Sequence, residues 1–289
     1  MKKTALFTRI AAGILFAYLL LHPSEVSASV REGLVFCADV IIPSLFVYMV
    51  LSDLLSGVSA VFSGRAFPAA AILCGMLCGS PSGADTVKTL YGKGAINKNQ
   101  ARALIAVSGN ASASFIISFA GRAVLGSVRA GAFILAFKFA LSLISWCVIS
   151  HLILNKEERR FDIVPLRESR GLPYALGNAA AAVGSICACV VFFAVLSDLI
   201  SPLCGSPLFR CVLHGALEFS GGIGECASLG AEIRYVAVCG LIGWQGMCVH
   251  LQISLFAGDG IPLDAYFAVK FAECCVMTAF GLLTKGLVI

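Results

Sequence analysis

Apolar residues fill this chain in long blocks, at 5–21, 34–55, 67–78, 103–120, 130–154, 179–200, 235–256 and 265–289, with short polar breaks between and inside them. A helix needs about 20 residues to cross the hydrocarbon core of a bilayer. Several blocks reach that length and predict membrane-crossing helices. The block at 67–78 is too short to cross alone and predicts a half-helix or one arm of a re-entrant hairpin.

Two stretches 145 residues apart echo each other, Val50-Leu51-Ser52-Asp53-Leu54-Leu55-Ser56 and Val195-Leu196-Ser197-Asp198-Leu199-Ile200-Ser201. Each is followed by a small, polar, Gly-rich break. The first is Cys78-Gly79-Ser80-Pro81-Ser82-Gly83-Ala84-Asp85 and the second Glu218-Phe219-Ser220-Gly221-Gly222-Ile223-Gly224-Glu225. Interruptions at corresponding places in two halves point to a transporter-like site between repeats. Lipid offers no partner to unsatisfied backbone, so such breaks persist only where protein or a water-lined cavity encloses them. The expected fold class is all-α: a polytopic integral membrane protein with two structural repeats, re-entrant hairpins and broken helices. An odd number of crossings between the halves would invert them.

Composition agrees with this pattern. Hydrophobic residues make up 59% of the 289 and charged residues 13%, with a mean hydropathy of +0.93. An average soluble domain is about 25% charged. The net charge of +5 is spread along the chain and leaves no nucleic-acid footprint. Its one dense basic stretch, 155–170 with Lys156, Arg159, Arg160, Arg167 and Arg170, reads as a cytoplasmic loop. That loop divides a first membrane repeat at 1–154 from a second at 173–289, with 155–172 as the linker. Lys2 and Lys3 put the N-terminus on the same side. The first apolar block, followed by Val26-Ser27-Ala28, has the form of a cleavable secretory signal; with Arg9 snorkelling it also suits a retained first span. Most of the thirteen cysteines lie in apolar runs, where Cys packs as a small hydrophobe.

Polar groups at membrane depth carry the candidate chemistry, because each must find a partner or face water. Ser80, Ser82 and Asp85 cluster with glycines and Pro81 in the first break. A half-helix starting near Ser82 would aim its free N–H groups at a cavity and suit an anion. Asn97 is placed to cap a helix from Lys98 that runs on through 101–119, with Asn110 and Ser112 in a run of small residues. In the second break Glu218 precedes Ser220. It is placed to bind a cation or proton, or to pair with Arg210 or Arg234. Gln245 and Gln252, seven apart, share a helix face, with His250 to one side. The substrate-binding candidates are thus Ser80, Ser82, Asn110, Ser112, Ser220, Gln245, His250 and Gln252, and the coupling or ion candidates Glu218 and Asp85. Asp39, Asp53 and Asp198 read as structural residues, at helix ends or as interhelical partners. Lys138 and Lys270, inside apolar runs, either snorkel or pair with acids. No hydrolase, zinc-protease or nucleotide-binding motif is present and no residues have metal-ligand spacing, so neither an enzyme, a metal nor a cofactor is expected.

Several of these residues carry a resemblance. Gly33-Leu34, then Val40-Ile41-Ile42-Pro43-Ser44-Leu45, Gly79-Ser80-Pro81-Ser82-Gly83-Ala84 and Asn110-Ala111-Ser112 resemble, in order, the sporulation integral membrane proteins of the YlbJ family in the nucleoside recognition (Gate) domain group. Gly215-Ala216-Leu217-Glu218-Phe219-Ser220-Gly221-Gly222 is similar to that family's Gly-x-x-Glu-x-x-x-Gly stretch, and Val249-His250-Leu251-Gln252 to its Val-His-x-Gln segment. Trp244-Gln245 stand where the family has small residues. The resemblance implies a retained first helix and a transporter of a small organic anion during endospore formation, dipicolinic acid moved across the mother-cell-derived forespore membrane. A nucleoside or other small-metabolite transporter, and a non-transporting structural membrane protein of sporulation, are the alternatives. Expected partners are a small-molecule substrate and the lipid bilayer, with a homo-oligomer left open.

Overall fold

A computed structural model describes residues 2–55, 67–159, 161 and 171–288. Among these the regular secondary structure is all helical, with no strand. The helices are α1 (Lys2–Leu21), α2 (Pro23–Phe36), α3 (Ile42–Leu55), α4 (Phe67–Cys78), α5 (Ser80–Gly92), α6 (Lys98–Ser108), α7 (Val128–Ile153), α8 (Leu172–Ile200), α9 (Pro207–Leu217), α10 (Phe219–Glu225), α11 (Ala231–Trp244), α12 (Gly246–Ala257) and α13 (Asp264–Val288). A π-helical turn, Cys37–Ile41, joins α2 to α3 without a break, and a second π-helix, Phe115–Val124, precedes α7.

Five segments are long and apolar enough to cross a membrane: Pro23–Leu51, Val128–Ile153, Leu172–Ile200, Ala231–Ala257 and Asp264–Val288. Their surfaces are inverted relative to a water-soluble protein. Leu283 and Leu287 are 82% and 83% exposed, whereas Lys138 and Lys270 are fully buried and Glu273 is 1% exposed. Leucine outside and charge inside is the arrangement lipid favours. The protein thus has the form of an integral membrane protein.

Four breaks interrupt the helices. Between α4 and α5 the chain turns at Gly79, whose φ of 89° suits glycine, and Pro81 sits in the first turn of α5, where its missing N–H costs nothing. α6 starts where the sequence predicts, with Asn97 and Gln100 forming a capping box. It does not run on through 101–119. It stops at Ser108, and the next helical residues begin after Ser112, because the Asn110 side chain folds back onto the Val107 carbonyl at 2.8 Å and competes with the helix. Between α9 and α10 the break is at Glu218, and between α11 and α12 at Gln245, whose left-handed φ of 72° is unusual outside glycine.

Each short helix pair is clamped to its neighbours by the absence of side chains. A Cβ on Gly75 or Gly83 would lie 2.0 or 2.4 Å from the Ser108 carbonyl oxygen, so α4 and α5 both rest on the end of α6. A Cβ on Gly222 would lie 2.2 Å from the backbone of Gly215, so α9 and α10 touch main chain to main chain. Around these joints lie three apolar cores. One gathers α4–α6 and α13 about Ile72, Leu104 and Tyr266; another gathers the second π-helix, α7 and α11 about Ile116, Ile134 and Ile242; the third packs α3 on α8 through Leu45 and Ile186. The echoed heptads end α3 at Leu55 and α8 at Ile200, with Asp198 exposed at that end. The Asp53 side chain and residues 162–170 of the expected linker lie outside the described residues.

The start of the linker is tied to α6. Glu158 accepts from Asn97 Nδ2 at 3.0 Å, Asn99 Nδ2 at 3.1 Å and the Asn155 amide at 3.1 Å. The Asn155 amide first, and then the Asn99 side chain, hold its carboxyl below the usual Glu range. A depressed folded value stabilises above the unfolded pKa of about 4.3 and is lost as pH falls through the folded value. Glu158→Gln is therefore expected to speed hydrogen exchange at the Gln100 amide at neutral pH, and acidification below about pH 4 to do the same in the unsubstituted protein.

Candidate functional site

The four breaks meet. One cavity is bounded by Gly79 and Ser80 from the first, Ala111 and Ser112 from the second, Glu218, Phe219 and Ser220 from the third and Gln245 from the fourth. α3 adds Ser44 and Leu45, α8 adds Ile186 and Val190, and α12 adds Cys248, Val249 and Gln252. A mostly apolar pocket with a few converging polar groups is the usual form of a small-molecule site.

Gln245 holds two of the breaks together. In the orientation its neighbours demand, its side-chain nitrogen donates to the Gly109 carbonyl at 3.2 Å and its oxygen accepts the Ala111 amide at 3.1 Å. The unwound strand 109–112 thereby gains the partners that helix would have supplied, and this satisfies backbone that lipid would leave bare. Ser112 Oγ accepts the Phe115 amide at 3.2 Å and starts the helix that follows. Across the cavity Glu218 caps α10. It accepts from the Ser220 amide at 3.1 Å, the Ser220 hydroxyl at 2.6 Å and the Gly221 amide at 2.5 Å. Its carboxyl oxygens are thereby occupied by the first amides of its own helix. It makes no pair with Arg210, which is exposed, or with Arg234, which donates to the carbonyls of Leu229 and Val124.

Six of the ten residues singled out in the sequence therefore line one cavity: Ser80, Ser112, Ser220, Gln245, Gln252 and Glu218. Gln245 and Gln252 reach it from different places, Gln245 from the helix break and Gln252 from within α12, not from one helix face. Four residues lie elsewhere. Ser82 and Asp85 sit further along α5, where the Ser82 carbonyl accepts the Thr86 hydroxyl at 2.8 Å. His250 is buried behind the wall, its Nδ1 2.9 Å from the Tyr266 hydroxyl and its ring packed on Trp244 and Phe267.

Asn110 is also buried behind the wall, one residue from Ala111, and it opens onto a cluster the sequence only half disclosed. Its Oδ1 accepts from Lys138 Nζ at 2.7 Å and from Lys270 Nζ at 3.4 Å. Both ammonium nitrogens lie 2.8 Å from the same Oε2 of Glu273. Glu273 Oε1 is buried with no hydrogen-bond partner. Both lysines thus pair with an acid rather than snorkel. Glu273, three residues after Lys270 on one helix face, was the available signal for that pairing. Ser44 was visible only within Val40-Ile41-Ile42-Pro43-Ser44-Leu45, one of the segments that carry the resemblance. Among the described residues no group of three His, Cys, Asp or Glu side chains is arranged to hold a metal.

Fold and site together define a membrane-type helical protein in which broken helices enclose a mostly apolar cavity with a few polar groups. No protein-family model, curated protein or solved structure matches the chain.

Proposed function

We propose that the protein is a membrane transporter of a small organic anion, with dipicolinic acid in the developing endospore as the substrate that the family resemblance implies. The observation that carries this reading is the convergence of four helix breaks on one cavity. The N-terminal ends of α5 and α12 open there, and free N–H groups at such ends favour anions. Transporters of the broken-helix kind bind substrate at such places.

The order of elements supports two repeats. In each half a long helix (α2–α3, or α8) precedes a short broken pair (α4–α5, or α9–α10). Then come a broken helix (α6 with the second π-helix, or α11–α12) and a long helix (α7, or α13). We read each short pair as a re-entrant hairpin. Counting α6 with the second π-helix as one crossing, three crossings run from α2 to α7 and three from α8 to α13, an odd number, so these two sets run in opposite senses across the membrane.

A nucleoside is the second reading. Phe115 and Phe219 face each other with centroids 5.0 Å apart at the cavity, and its lining carries no lysine or arginine, features that suit a neutral heteroaromatic ring. Uptake of radiolabelled dipicolinate by liposomes holding the purified protein tests the choice. Dipicolinate should enter and unlabelled dipicolinate, but not adenosine, should compete. Ser112→Ala should lower uptake about tenfold or more at unchanged protein levels, the loss of one hydrogen bond to a charged ligand. Uptake competed by adenosine alone would favour the nucleoside. A Ser112→Ala defect confined to protein levels would favour a structural role.

A further inference from the structure

The Lys138–Lys270–Glu273 cluster sits beyond the cavity, on the far side of the strand 109–112. Two lysines share one carboxylate oxygen, and all three side chains are at most 1% exposed. With every group ionised the cluster carries one net positive charge in a region where an uncompensated charge is costly. The other titratable groups turned toward it are Tyr266, whose ring centroid is 5.8 Å from Lys270 Nζ, and His250, bonded to Tyr266. α11 meets it through Gly243, where a Cβ would lie 2.6 Å from the Glu273 carbonyl oxygen, and brings no charge. Ser142 on α7 is 3.4 Å from both Lys138 Nζ and Asn110 Oδ1. Nothing within the cluster supplies the missing negative charge, but the cavity on the other side of Asn110 is one residue away.

We infer that the cluster binds one exchangeable proton whose arrival is coupled to an anion in the cavity. The inference rests on the transport reading and names its coupling ion. With the cavity empty, the cluster holds one ammonium, one neutral amine and the Glu273 carboxylate, with no net charge. When an anion enters, the amine takes a proton from water and becomes the second ammonium; when the anion leaves, the proton leaves with it. Asn110 Oδ1 accepts from both lysines, and Gln245 grips the backbone on either side of Asn110, so the link from cluster to cavity wall is two hydrogen-bonded side chains long.

The test uses the full-length protein in liposomes containing a pH-sensitive dye, with radiolabelled dipicolinate outside. Uptake should acidify the lumen by about one proton per dipicolinate, and an imposed gradient, acid outside, should raise accumulation about tenfold per pH unit. Lys270→Met and Lys138→Met each leave a single neutral ion pair with Glu273; both variants should take up dipicolinate down its own gradient with no response to pH. Two variants are used so that misfolding of one does not decide the matter. Uptake by the unsubstituted protein without acidification, or a pH response retained in the lysine variants, overturns the inference and leaves the transport reading standing. Absence of dipicolinate uptake at every gradient overturns both.

Discussion

Glu273→Gln is expected to cost about 3–5 kcal/mol of stability, the range for removing one partner of a buried charge pair. Lys138 and Lys270 each have Nζ 2.8 Å from Glu273 Oε2, and both are fully buried. The amide that replaces the carboxylate carries no charge, so the two lysines would face only Asn110 and each other. Unfolding of the purified protein in detergent should show the loss as a large fall in midpoint. A neutral combination, Lys138→Met with Lys270→Met and Glu273→Leu, should recover most of it, since apolar groups of similar volume commonly replace buried ion pairs without loss. A small effect of Glu273→Gln alone would mean that the cluster is not the electrostatic unit described.

Gly222→Ala carries the second large effect. Its Cβ would lie 2.2 Å from both the Cα and the N of Gly215, and 3.0 Å from the His214 carbonyl carbon. These are backbone atoms and cannot turn aside as a flexible side chain would. α9 and α10 would have to separate, with a loss of at least the 1–3 kcal/mol typical of overpacking. The separation would also disturb Glu218, which joins the two helices and caps α10. Gly177→Ala on α8 is the control: nothing lies within 4 Å of its Cβ, and alanine should stabilise the helix by about 1 kcal/mol. Equal effects of the two substitutions, read as unfolding midpoints, would remove close packing as the explanation.

Much of this architecture was legible because it is written locally. Long apolar blocks mark the spans, Gly79 and Pro81 mark a break, and Asn97 with Gln100 marks a helix start. What escaped was set by contacts between distant residues. The run around Asn110 has the small residues of a close-packed helix, and nothing nearby says that Gln245 will supply the partners that let it unwind. Lys138 meets a carboxylate 135 residues away, and His250 is taken up by Tyr266 on the next helix, so neither role follows from periodicity. Most of the polar residues adjoining a break line the cavity. Ser82 and Asp85, two and five residues past Ser80, lie off the cavity because helical rotation carries them from the face that Ser80 presents.

Equilibrium binding of radiolabelled dipicolinate to the purified protein tests the central claim most directly, that the meeting point of the four breaks is the substrate site. One saturable site per chain is expected. Ser112→Val with Gln252→Leu should abolish binding while the unfolding midpoint stays within a few degrees of the unsubstituted value, roughly a 1 kcal/mol change. Binding that survives in the double variant, or that never saturates in the unsubstituted protein, would contradict the claim.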